Sequence, residues 1–200
     1  MSNEAPVTVH SRVNRGLAIS CWVLTAALGA SIALSSESRG AVAALILVAW
    51  LAYAIHMLLW APSMRVGGEG VQVRNPFRSV DVPWEALIHV STKLSLTLHT
   101  PGRRWPVWCA PQAGALLARR AARRQRDDRD PESPLDVGVP VGDLRGTESG
   151  DAAALVRERW AAHGTDGDAE AATVTVAVRW PRIGLLVLGP LLASVVPLLV

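Results

Sequence analysis

The chain has 200 residues, a formal charge of +3, half of its residues hydrophobic and few aromatics, so its apolar content is aliphatic. That length allows one ordinary domain, or a small domain plus a few membrane spans, and so modest a charge does not call for a nucleic-acid partner. Cys21 and Cys109 stand far apart with no C-x-x-C or Cys/His spacing, which argues against a disulfide framework or a zinc site. Lys93 is the only lysine among many arginines and alanines, the coding bias of a GC-rich bacterium.

After a tail over 1–15, Gly16 to Leu34 and Ala41 to Ala61 run without a single Asp, Glu, Lys or Arg. A hydrocarbon core of about 30 Å needs roughly 20 such residues at 1.5 Å each, so 16–61 is predicted to be a transmembrane helical hairpin turning at SSESR. A signal peptide is the competing reading of the first run, given Arg12, Arg15 and the Ala27-Leu28-Gly29 site. The run is long for that role, and a second span follows at once. Ile183 to Val200 is predicted to be a third span although Pro190 and Pro197 each remove a helical donor; a re-entrant helix is the alternative.

Arginines flank one side of these runs: Arg12 and Arg15, then Arg65, Arg74 and Arg78, then Arg179 and Arg182. The positive-inside rule therefore places the N-terminus and 62–182 in the cytoplasm and the C-terminus outside a bacterial inner membrane. Trp22, Trp60 and Trp180 then fall near cytoplasmic span ends, where an indole can keep its N–H wet. His56, one turn from Trp60, is expected to reach a headgroup or a carbonyl rather than to serve a proton pathway, since the other spans offer no carboxylate.

From Met64 the pattern becomes alternating. MRVGGEGVQVRN reads as a hairpin around Gly67–Gly70, Asn75-Pro76 as a turn, and RSVDVP as a strand ended by Pro83. ALIHVST, KLSLTLHT, a Pro101-Gly102 turn and RRWPVWCA complete a small antiparallel sheet, in which Cys109 is a packed thiol. PQAGALLARRAARRQRDDRD is predicted to be an amphipathic helix with Leu116, Leu117 and Ala121 facing the sheet. Its Arg119, Arg120, Arg123 and Arg124 point outward as candidate contacts for anionic lipid or a partner. The acids that follow partly cancel this field, and a solvated helix face is the plainer reading.

EGVQVRNPFRSVDVPWEALIHV, with LSLTLHTPGRRWPVWCA after it, resembles the bacterial PH-like domains of the family named for a low-molecular-weight mycobacterial antigen. The pattern is carried by Gly70, Val71, Val73, Arg74, Asn75, Pro76, Phe77 and Arg78, then Pro83, Trp84 and Leu87, over about 60 residues. The resemblance implies an α+β fold, transmembrane helices plus a small antiparallel PH-like β-domain closed by an amphipathic helix, from an actinobacterial source. The motif residues Gly70, Asn75, Pro76, Pro83 and Trp84 are structural, and the resemblance brings no catalytic residues.

The expected organisation is a PH-like domain over 62–126, a linker over 127–150, a helix and membrane-proximal segment over 151–182, and the last span. DAAALVRERWAAHG is predicted to be a short helix with Ala154, Leu155 and Trp160 on one face. TVTVAVRW fits either a strand or a downward extension of the last helix. No Walker loop, GxGxxG, H-E-x-x-H or G-x-S-x-G occurs, and no histidine lies beside a nucleophile, so neither catalysis nor a cofactor or metal is expected. The expected role is non-enzymatic binding at the membrane surface, with the bilayer and another membrane or membrane-proximal protein as partners. An accessory subunit of a larger complex and an anionic-lipid sensor are the alternatives.

Overall fold

The computed structural model describes residues 5–35, 39–92, 95–111, 143, 146–164 and 172–199. The elements in order are β1 (Val7–Val9), α1 (Arg12–Ser35), α2 (Arg39–Ile55) with a π-helical turn over His56–Trp60, and the strands β2 (Ser63–Val66), β3 (Gly70–Arg74) and β4 (Arg78–Pro83). A 3-10 turn at Trp84–Ala86 leads to β5 (His89–Ser91), β6 (Ser95–Thr100) and β7 (Arg103–Pro111), followed by α3 (Glu148–His163), β8 (Thr175–Val178) and α4 (Trp180–Leu199). They form two compact units. One comprises Met1–Ser11, Ser63–Asn75 and Ser79–Ala177, and the other Arg12–Pro62, Pro76–Arg78 and Val178–Val200.

The β unit holds a five-stranded sheet, β1-β2-β3-β4-β8, and a three-stranded one, β5-β6-β7. Period-two alternation decides which side chains enter its core. Met64, Val73 and Val80 stand opposite one another across β2, β3 and β4, as do Val66, Val71 and Val82, and all six are buried. Leu96, Leu98, Trp105, Val107 and Cys109 supply the facing side from β6 and β7. A Cβ on Gly70 would lie 2.2 Å from the Val82 carbonyl oxygen, so β3 and β4 approach closely only because this position has no side chain.

The helix packed on these sheets is α3. Thr147 caps it, its hydroxyl accepting the Gly150 N–H at 3.0 Å, and Gly164 ends it at φ +83. Its buried face is Ala152, Ala153 and Val156, with Leu155 and Trp160 partly buried, one residue round from the expected stripe. Small side chains let the helix axis come close to the strands, so the alanines enter the core and Ala154 does not. The arginine-rich helix expected over 111–126 lies almost wholly outside the described residues, as does the linker up to Gly142. Thr175–Val178 forms an edge strand beside β4, which resolves the ambiguity of TVTVAVRW.

In the helical unit, α2 packs on both α1 and α4. Among the described residues two helices, Arg12–Ser35 and Gly40–Trp60, are long and apolar enough to cross a membrane. The first starts before Gly16, so Trp22 lies well inside it, and its indole N–H is given to the Ala52 carbonyl at 3.1 Å rather than left wet. His56 stacks on Trp22 with ring centroids 6.1 Å apart, and the Arg15 guanidinium sits 4.8 Å over the Trp60 ring.

Proline chemistry explains how α4 docks. Pro190 has no N–H to give to Leu186, four residues earlier, and the Leu186 carbonyl instead accepts the Trp50 indole N–H at 2.8 Å. Gly189 makes room, since a Cβ there would meet the Trp50 ring at 1.9 Å. Trp50→Phe is expected to weaken α2–α4 packing by about 1 kcal/mol, and by less in a Pro190→Ala background, where the helix recovers its own bond. A double-mutant cycle on thermal unfolding in detergent checks this; equal losses in both backgrounds would refute the pairing.

Candidate interaction site

The corner after β4 and the turn before β3 form one structure. Gly67 N–H bonds Gly70 O at 2.9 Å and closes the turn, and Trp84 ties itself to it twice. Its backbone N–H donates to Glu69 O at 3.2 Å and its indole N–H to Gly68 O at 3.0 Å. The C-terminal end of α3 reaches the same place, with the His163 ring 6.5 Å from that of Trp84 and 3.1 Å from the Glu85 carboxylate. A hydrogen bond from its own backbone and then the His163 bond hold the Glu85 carboxyl below its ordinary pKa. The pair's contribution is therefore present at neutral pH and fades as pH falls through that lowered value. Both side chains are more than a third exposed, which keeps it small.

Beside this corner lies a groove of about 1030 Å³, lined by Arg65, Gln72, Asp81, Trp84, Arg159 and His163 among others. Three of these come from one cross-strand row on the outer face of the sheet, where Arg65 stands opposite Gln72 and Gln72 opposite Asp81. Both signs of charge meet there, with the Gln72 carboxamide and the Thr173 and Thr175 hydroxyls. Residues 61–131 match the family model of the bacterial PH domain. No curated protein and no solved structure matches the chain.

The match covers about a third of the chain and begins two residues before β2. Within this PH-like domain the five motif residues have separate tasks. Gly70 opens β3 at its closest approach to β4, Pro83 ends β4, and Trp84 fills the core at 2% exposure. Pro76 follows Asn75 at the turn into β4, while the Asn75 carboxamide reaches across to β7, accepting from Trp108 N–H at 2.9 Å and donating to Pro106 O at 2.8 Å. Only Gly70, Pro83 and Trp84 line the groove. Arg119, Arg120, Arg123 and Arg124 lie outside the described residues.

Two arginines on α3 escape a reading by pattern. Arg157 donates to Val90 O at 3.0 Å and pairs with Asp143 at 2.9 Å, while Arg159 donates to Val66 O and Ala5 O at 3.1 and 3.0 Å. They clasp carbonyls of β5, β2 and the segment before β1 and so position the helix whose end borders the groove. The signal available in the sequence was their spacing of two beside Trp160, which is not the spacing of a purely solvated face.

Among the described residues no three His, Cys, Asp or Glu side chains gather closely enough to hold a metal. Cys109 is 1% exposed, and burial pushes its thiol up to about 12. Iodoacetamide is expected to leave Cys109 unmodified in the folded protein and to label it after guanidinium unfolding, as read by mass spectrometry.

Proposed function

We propose that this protein is a bacterial, multi-pass inner-membrane protein that presents its PH-like domain on the cytoplasmic side and acts by binding another membrane or membrane-proximal protein, without catalysis. The observation that carries this reading is the match to a bacterial PH domain starting at residue 61, directly after a helix of span length that ends at Trp60. PH domains are binding modules, and the mixed-charge groove beside Trp84 offers the kind of surface a polypeptide partner uses. The flanking arginines support a cytoplasmic N-terminus and domain, α4 as a third span and an outer C-terminus, and the arginine-for-lysine bias supports an actinobacterial source.

Purification in mild detergent from native membranes tests the binding role. A partner lost on Arg65→Glu together with Gln72→Glu supports docking through the groove. A stoichiometric partner retained by that variant indicates a subunit held through its helices. A reporter fused after Val200 is expected on the outer side; a cytoplasmic reporter would overturn the topology.

A further inference from the structure

Four strands form the edges of the two sheets, β1 and β8 on one and β5 and β7 on the other. An edge presents unpaired N–H and C=O groups, and stable proteins blunt it with proline, charge or a cap. Three of these four edges are blunted. Pro6 stands before β1 without an N–H to offer, and the Ala5 carbonyl beside it accepts from Arg159. On β5 the Val90 carbonyl accepts from Arg157. On β7 Pro106 has no N–H, and the Asn75 carboxamide takes up Pro106 O and Trp108 N–H.

β8 has none of these devices. Thr175, Val176, Ala177 and Val178 include no charge and no proline, and all four are exposed. Among the described residues β4 is the only strand beside it, and no side chain bonds to its backbone. Val174 packs on the core, whereas Val176, next along the same face, is 40% exposed, so the apolar inner face of the sheet runs on beyond the layer that covers it. On the other face Thr173 and Thr175 line the groove beside Trp84 together with Asp81, which has no ion-pair partner among the described residues. The edge also lies outside residues 61–131, so the family match does not supply it.

We propose that the bare side of β8 takes up an extended segment of a partner polypeptide as a further strand, apolar at alternate positions and basic between them. This rests on the reading that the protein binds a polypeptide, and it names the manner and the chemistry. Only an extended backbone offers the alternating N–H and C=O groups that such an edge leaves unpaired. Alternation sends one set of the incoming side chains over Val176 and the other toward the groove. There Asp81, on β4, lies two strands away at about 10 Å between backbones, within the combined reach of its carboxylate and a lysine or arginine. A second copy of β8 fits less well, because it brings only Thr175 and Ala177 to that face and leaves Asp81 without a counter-charge.

A phage-displayed library of random dodecapeptides is panned on the full-length protein in nanodiscs of zwitterionic lipid. Hydrogen exchange of β8 is then followed with the most enriched peptide. Enriched sequences are expected to carry valine, isoleucine or an aromatic at alternate positions with lysine or arginine between them and no proline, and to slow exchange in β8 by about tenfold. Val176→Lys supplies the charge the edge lacks and is expected to abolish both effects, with exchange in β2 and β3 as in the parent. Asp81→Asn is expected to remove the preference for basic residues. Enriched peptides that leave β8 exchange unchanged overturn strand addition while the protein remains a polypeptide binder. Slowing that grows with protein concentration in the absence of peptide puts a second copy on the edge and equally overturns it. No enrichment also overturns strand addition, and only the further loss of any partner co-purifying from native membranes overturns the binding role beneath it.

Discussion

Trp84→Ala is expected to destabilise the PH-like domain by about 3–5 kcal/mol, a large part of what a domain of this size commonly has. Trp84 is the largest of the fully buried side chains among the described residues, so its removal leaves a cavity in the core beside the Gly68–Glu69 turn and the end of α3. Its indole N–H also satisfies Gly68 O, and its backbone N–H fixes Glu69, so the loss spreads into the turn that sets the register of β2 and β3. Trp84→Phe keeps most of the ring volume and loses only the indole bond, and is expected to cost roughly 1–3 kcal/mol. Hydrogen exchange of peptides from 63–111, measured on the full-length protein in detergent, reads both effects. Protection in the alanine variant equal to that of the parent would remove Trp84 from the core.

The strands were legible because alternation needs only a few residues to declare itself, and MRVGGEGVQVRN and LSLTLHTPGRRW each carry two runs around a turn that glycine or proline specifies. The long apolar helices were legible because about 20 consecutive residues without charge match the thickness of a bilayer and exceed what a small soluble core can bury. What pattern could not supply was the packing of elements distant in sequence. The helix on the sheets presents Ala152, Ala153 and Val156, which carry a weak hydrophobic signal, while the stronger stripe of Leu116 and Leu117 lies outside the described residues. Val7–Val9 joins the sheet through backbone pairing with β2, and three residues are too few to show a period. An arginine on a helix reads as solvated until its target carbonyl is known. That is why Arg157 and Arg159 were invisible while Arg119 to Arg124, a conspicuous charge run, drew notice. The carbonyl freed by Pro190 can be inferred from sequence alone; its donor, Trp50, sits on another helix and cannot.

The same distinction explains Asn75, legible as a turn residue but not as the link between the two sheets. It is 8% exposed, and its carboxamide offers one donor and one acceptor to the edge of β7, as a further strand would. Asn75→Ala takes these bonds from Pro106 O and Trp108 N–H at a nearly closed site, and at roughly 1–3 kcal/mol per bond lost the expected cost is about 2–6 kcal/mol. Asn75→Asp is the sharper test. Its carboxylate still accepts from Trp108, but it sets a second oxygen against the Pro106 carbonyl, which favours the protonated acid and raises the carboxyl pKa in the folded state. The folded state then binds a proton more tightly than the unfolded one, so the aspartate variant is expected to gain stability relative to the parent as pH falls through that raised value. Its acid form donates to Pro106 and restores the pair, whereas the alanine variant shows no such recovery. Exchange of the Trp108 amide followed against pH in both variants reads the difference, and parallel profiles would show that the carboxamide does not join β7.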